Sequence, residues 1–360
     1  MTRSAHRVEG KTGRLDAMLN GLGRRTQLIM GVAAARSVYA AAAGINPANH
    51  IARRRLGKLR SRRPGERTGL RFVALGTTGI CNASCLHCPT GKASTAHVPR
   101  VTMDMDIFRH VVDTIVEQGW SVLCMSFGLF GDGLVDPLVV ERARYARERL
   151  PDVMLDINSN GAAFNPGKHA ALASHVSLLT LHCESLRAAN YDRLMAPLRL
   201  KNVFPKYRQI LDCFPGKVRV SVPVTRVNLD ELTLIRDHFL QQGAAEVVFD
   251  PISSRCAEDM TLFHELAIGP KDIRCTTEIM DDLIIDCDGT IVACCQDFAR
   301  RMPTGDVKRA GLLAALDDPR RKNFRQMLAD GRHETAPTCR NCEADCRTPN
   351  FPFDYPGVSA

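Results

Sequence analysis

The chain has 360 residues, 45% of them hydrophobic and 24% charged, which fits an ordinary globular protein of two or three units and excludes a disordered or fibrous one. Its net charge of +9 is local: residues 1–72 hold 16 Lys and Arg against 3 Asp and Glu, and the rest hold 32 against 36, a weak basis for nucleic-acid binding. The most apolar stretch, 28–45, is interrupted by Arg36, and no apolar run precedes a small-residue cleavage site, so neither a membrane span nor a secretory signal is expected and the cytoplasm is.

In the basic stretch, Arg53, Arg54, Arg55, Lys58, Arg60, Arg62 and Arg63 interleave with Ile51, Leu56 and Leu59, a spacing that a helix sorts into an apolar and a basic face. Residues 1–70 are expected to form a basic, Ala-rich helical extension. It is either a solvated arm or a contact for an anionic membrane or a phosphate.

Between 71 and 250, apolar β-branched runs alternate with segments of helical period. Six strands are predicted: Arg71–Gly76, Trp120–Phe127, Asp152–Ile157, Val176–His182, Lys217–Val224 and Ala245–Asp250. Helices are predicted over Met105–Glu117, where Ile107, Phe108, Val111, Val112 and Ile115 share a face, and over Leu229–Gln242, which Gly243 ends. Six such repeats are too few for a closed eight-stranded barrel and enough for a partial (β/α)6 barrel, an α/β fold whose functional residues gather at the C-terminal ends of the strands. The expected units are 1–70, the barrel over 71–260 and a small Cys-rich iron-sulfur unit over 261–360.

In a large cytoplasmic chain thiols stay reduced, so the 14 cysteines point to metal ligation rather than disulfides. After the first strand, Cys81, Cys85 and Cys88 stand on one loop; three thiolates hold three irons of a 4Fe-4S cluster and leave the fourth open. A closed zinc site wants a fourth ligand, and no other Cys lies nearby. In the last quarter, Cys275, Cys294, Cys339 and Cys342 are the chosen ligands of a second, saturated 4Fe-4S cluster, with Cys346 as a substitute; two pairs of Cys are also a zinc-ribbon pattern. The Asp288-Gly289 turn between two β-like runs predicts a hairpin that returns Cys294 toward Cys275, and a helix is expected over Leu312–Leu328. Ligation would stabilise this small unit.

The spacing Cys81-x3-Cys85-x2-Cys88 after a first strand resembles the radical S-adenosylmethionine (SAM) superfamily. The resemblance implies that a 4Fe-4S cluster binds SAM at its open iron and that His87 sits where relatives place an aromatic residue beside the adenine. Phe130-Gly131-Asp132-Gly133 resembles the family's Gly-Gly-Glu-Pro, with Phe130, Asp132 and Gly133 departing from it; Gly131 and Asp132 would receive the SAM amino group. Ser159 and Asn160 resemble a Thr-Asn-Gly stretch, Thr180 keeps the hydroxyl of a Ser-x-Asp stretch in which His182 replaces the acid, Arg193 would pair with the SAM carboxylate, and Thr225–Glu231 is also similar. The tail is similar to SPASM and twitch extensions, nearest the one-cluster twitch form of aminocyclitol dehydrogenases.

The implied activity is reductive cleavage of SAM to a 5′-deoxyadenosyl radical, which takes a hydrogen from a small polar substrate such as a sugar or aminocyclitol, with electrons from a flavodoxin- or ferredoxin-type partner. Removal of the next electron by the auxiliary cluster gives oxidation. Return of a hydrogen from Cys183, at the end of the fourth strand, gives epimerisation. Peptide modification is the other alternative, and a non-catalytic iron-sulfur or zinc protein that binds nucleic acid is the reading of another class.

Overall fold

The computed structural model describes residues 70–345 and 351–355. The basic extension, Leu70 apart, and Cys346 lie outside them. Six strands and their helices follow in order: β1 (Leu70–Leu75), α1 (Met105–Glu117), β2 (Val122–Phe127), α2 (Val139–Arg149), β3 (Met154–Ser159), α3 (Pro166–His169), β4 (Leu178–His182), α4 (Ala188–Leu194), α5 (Leu200–Cys213), β5 (Val218–Val224), α6 (Leu232–Gln241) and β6 (Glu246–Pro251). The remainder is α7 (Thr261–Leu266), β7 (Pro270–Asp272), β8 (Asp282–Ile285), β9 (Thr290–Val292), β10 (Pro303–Asp306), α8 (Val307–Leu316), α9 (Pro319–Ala329) and β11 (Glu343–Asp345).

Among the described residues the main sheet runs β10-β9-β8-β1-β2-β3-β4-β5-β6, and β7 pairs with β11 in a second, two-stranded sheet. Strands β2 to β6 are parallel neighbours, and β1 pairs in parallel with β8. The architecture is a mixed α/β fold with an unclosed barrel, and the tail extends the barrel's own sheet through β8.

Alternation along the strands separates two faces. Leu155, Ile157, Leu179, Leu181, Val218, Val220, Val222 and Val224 are wholly buried on one of them. Each such side chain contributes about 1.5–3 kcal/mol of burial. The register aligns polar residues on the other face: Ser126 with Asp156, Asn158 with Thr180, Thr180 with Arg219, His182 with Ser221, and Arg219 with Glu246. Helix α1 forms where the 3.6 period puts Ile107, Phe108, Val111, Val112 and Ile115 on one buried stripe, and Asp104 caps its start by accepting from the Asp106 N–H at 3.2 Å.

The structure corrects one element. The helix expected over Leu312–Leu328 is two, α8 and α9, because Asp318 caps the second by accepting from Arg320 N–H at 2.8 Å and Pro319 opens it. The expected hairpin is β8 and β9, turning through Gly289 at φ 92°.

Candidate functional site

The loop after β1 carries Cys81, Cys85 and Cys88, all half-buried. Burial and then the charge of Asp132 push the Cys81 thiol up to about 12; burial, then the charges of Glu184 and Cys88, push Cys85 well above its ordinary value. Such thiols lose their protons readily only to a metal or cluster. The loop is held by backbone bonds from Ser84 N–H to Ala196 carbonyl at 2.6 Å and from Leu86 N–H to Leu194 carbonyl at 2.7 Å. Lys92, which no motif marks, donates to the Cys85 carbonyl at 2.8 Å and the Leu86 carbonyl at 2.6 Å. Burial lowers its pKa, against Cys88, Cys85 and Glu184, whose charges oppose the shift, and its Nζ stands beside the thiol loop. Three thiols on a tied loop with an adjacent cation fit an anionic cluster that takes three ligands.

The loops after β2 and β3 are pinned to this one. A Cβ at Gly131 would stand 2.3 Å from the Thr78 carbonyl oxygen, so only glycine lets the second loop press on the first. Asp132 N–H donates to the Ile80 carbonyl at 3.0 Å. Its carboxylate, 3% exposed, accepts from Ser159 Oγ at 2.9 Å, Asn160 N–H at 2.7 Å and Leu134 N–H at 2.9 Å. Asp132 was expected to receive the SAM amino group; its oxygens accept from Ser159 and Asn160 and so tie the loop after β2 to the end of β3 and the loop that follows. Asn160 reaches the thiol loop directly, with Nδ2 2.7 Å from Asn82 Oδ1 and 3.8 Å from Cys81 Sγ.

The loops after β4 and β5 form a third tie. His87 Nδ1 lies 3.5 Å from Glu184 Oε2, and neither buried atom has a hydrogen-bond partner. Asn228 donates to the Glu184 carbonyl at 2.6 Å, and Glu231 accepts from Ser185 Oγ at 2.8 Å and Asn190 Nδ2 at 2.8 Å. The Thr225–Glu231 stretch thus fixes the loop that meets His87. Thr180 lies deeper than expected, donating to Asp156 Oδ1 at 2.8 Å within the strand face. Arg193 is exposed at the end of α4.

Cys183, expected as a hydrogen donor, directly follows β4. It is wholly buried, its thiol facing Tyr207 of α5 and the Ser185 carbonyl at 3.5 Å, and burial pushes it up to about 12. It follows Leu179 and Leu181 on the apolar face.

On that polar face, Arg219 Nε donates to Glu246 at 2.7 Å, its Nη1 lies 3.9 Å from Asp156, and its buried Nη2 has no hydrogen-bond partner. Ser221 Oγ donates to Asp250 Oδ2 at 2.7 Å. Asp156, Glu246 and Asp250 surround Arg219 on this face, and Arg255 acts by its charge on His182.

A second group of thiols lies in the tail. The charges of Cys294 and Cys342 act on both Cys275 and Cys339, raising them to about 11 and about 12 after burial has done more. Cys256, which no spacing motif marked, joins them. Among the described residues no three His, Cys, Asp or Glu converge as on a single metal ion; a cubic cluster spreads its ligands over four irons.

Residues 275–343 match the SPASM iron-sulfur cluster-binding domain. An AdoMet-dependent heme synthase of Methanosarcina barkeri is 32% identical over 167 residues, which is 45% of this chain and 45% of that protein. The chain thus spans less than half of the curated relative it matches. BtrN in complex with AdoMet and 2-DOIA superposes with a TM-score of 0.53 at 16% identity, over 76% of this chain and 92% of that one. For anSMEcpe with bound AdoMet the values are 0.56, 10%, 75% and 89%, and for its complex with AdoMet and the Cp18Cys peptide 0.54, 11%, 72% and 83%. The fold is that of the radical SAM enzymes with a SPASM-type region, and the cofactors that go with it are a SAM-binding 4Fe-4S cluster, SAM and an auxiliary iron-sulfur cluster.

Proposed function

We propose that the protein is a radical SAM oxidoreductase acting on a small, polar, amine- or hydroxyl-bearing metabolite such as a sugar or aminocyclitol. Bound at Cys81, Cys85 and Cys88, a reduced 4Fe-4S cluster with SAM supplies the 5′-deoxyadenosyl radical that abstracts hydrogen. The chain's own residues orient and enclose. Asp132, Ser159 and Asn160 hold the loops after β1, β2 and β3 in register, and His87 with Glu184 closes the side toward β4. The observation that carries the substrate class is the polar strand face of Asp156, Ser221, Glu246 and Asp250 around Arg219, whose hydrogen-bonding groups suit a hydroxylated or amine-bearing molecule.

Thiols of the tail would hold the auxiliary cluster, which when bound would supply an electron acceptor for an oxidation, and a flavodoxin- or ferredoxin-type protein would be the external reductant. The buried, helix-side Cys183 disfavours the epimerase alternative. A peptide is the second reading of the substrate, supported by the likeness in fold to the peptide-bound anSMEcpe. The N-terminal extension is proposed as a separate unit that contacts an anionic surface.

Anaerobic reconstitution with iron, sulfide, dithionite and SAM tests the proposal. Formation of 5′-deoxyadenosine is expected, with deuterium transferred into it from a labelled aminocyclitol or sugar. No deoxyadenosine overturns the radical SAM reading; transfer only from labelled peptides moves the substrate to the second reading.

A further inference from the structure

We propose that Arg255 anchors an acidic group, a carboxylate or a phosphate, on the substrate of the barrel. This deepens the proposed function and rests on it.

Arg255 lies on the loop that leaves β6, at the end of the barrel where functional side chains gather. Its guanidinium carbon stands 4.6 Å from the centroid of the Phe298 ring. Phe298 in turn meets Phe130 edge-on with centroids 5.0 Å apart, and Cys88 packs against the same apolar group. The cation is therefore seated on an aromatic shelf that continues to the thiol loop and to Gly131 and Asp132. Stacking on a ring attracts a guanidinium through its face and leaves the N–H fork in its plane for an oxyanion.

Among the described residues that fork has no acceptor. Arg255 makes no salt bridge there, and its buried Nε has no hydrogen-bond partner. Other guanidinium groups that the fold buries are answered: Arg142 by Asp136 at 2.9 Å, Arg300 by Asp286 and Asp288 at 2.5 and 2.7 Å, Arg219 by Glu246 at 2.7 Å, and Arg321 by the Met280 carbonyl at 2.9 Å. A donor kept from water without an acceptor is costly, and a carboxylate or phosphate that accepts two parallel N–H bonds removes the cost.

The backbone is set for this placement. Arg255 has φ of 52°, in the left-handed region that side-chain-bearing residues avoid, and strain of this kind persists where the surroundings over-determine a functional geometry. Here the loop is fixed on two sides. Ser253 Oγ donates to Gln296 Oε1 at 2.5 Å, two residues before Phe298, while Ser254 donates from N–H to the Glu343 carbonyl at 2.8 Å and from Oγ to the Asn341 carbonyl at 2.7 Å. The charge of Arg255 also acts on His182, which ends β4 on the polar strand face.

The test uses the full chain reconstituted with iron and sulfide, dialysed to equilibrium against labelled inorganic phosphate or acetate, with and without saturating SAM. Arg255→Gly fits the left-handed backbone and removes the fork; should it lose iron, Arg255→Gln, which keeps the side-chain stem, is read in its place. The parent is expected to bind about one anion per chain more than the variant, with the affinity of that site lowered about tenfold or more by the change, whether or not SAM is present. Either anion bound in this way supports the proposal and names the acid that fits. Equal binding of both anions by parent and variant overturns it. Displacement of the anion by SAM overturns it as well, because the acid at Arg255 is then the carboxylate of SAM. Dithionite-driven 5′-deoxyadenosine formation is measured on the same parent sample: its absence fails the radical SAM reading, whereas a missing anion site fails Arg255 alone.

Discussion

The buried carboxylate of Asp132 accepts from the backbone N–H of Asn160 at 2.7 Å, joining the loop after β2 to the loop after β3 directly under the thiols. Asp132→Asn turns an amide donor toward N–H and O–H donors and strands at least one of them, which costs about 1–3 kcal/mol. The variant is expected to unfold at a lower temperature and to bind SAM more weakly with the first cluster still present. Calorimetric melting and equilibrium dialysis against labelled SAM check this. Unchanged SAM binding in a destabilised protein would limit Asp132 to the fold.

Changing Cys81, Cys85 and Cys88 together to Ala is expected to lower iron from about eight to about four per chain. SAM cleavage should then be undetectable, while the tail's cluster stays visible. Iron assay and chromatography of 5′-deoxyadenosine read the outcome, and cleavage that survives removes the first cluster from this loop.

Replacing Cys339 and Cys342 by Ala should leave some 5′-deoxyadenosine formation and suppress oxidised product more strongly, because hydrogen abstraction precedes electron removal. Retained SAM affinity in the same sample separates this from misfolding, to which a unit held by ligation is prone. Full product without the second cluster would end its electron-acceptor role.

The pair of Arg142 and Asp136, Nε to Oδ2 at 2.9 Å, is fully buried under the loop after β2, with the guanidinium 5.2 Å from the Phe108 ring. Arg142→Met alone leaves an uncompensated carboxylate and is expected to cost about 3–5 kcal/mol. The double change with Asp136→Leu should cost clearly less than the two single changes added together. Urea titration of the four proteins supplies the cycle.

The barrel was legible because its signals are local. Residues Ile107, Phe108, Val111, Val112 and Ile115 recur at helical spacing, and the runs at β3 to β5 alternate apolar residues with polar ones. The break between α8 and α9 was equally local, written in Asp318-Pro319, and was overridden by an apolar period that continues across it. Cys256 was not legible. Its neighbours in the chain carry no partner cysteine, and only the bonds from Ser254 to the segment at 341–343 bring its thiol to Cys342. The loop-to-loop bonds of Asp132 were hidden for the same reason, since its donors Ser159 and Asn160 belong to the end of the next strand and the loop after it.

The parallel seat of β8 on β1 has a consequence for synthesis. While the ribosome is still producing the second half of the chain, β1 to β6 are complete and the outer edge of β1 presents unpaired N–H and C=O groups, a template for any passing strand. Its partner arrives only with Leu283, Ile284 and Ile285, after all of β2 to β6, so the edge of β1 stays open while the other five strands form and a slow, long-range pairing is still to be made.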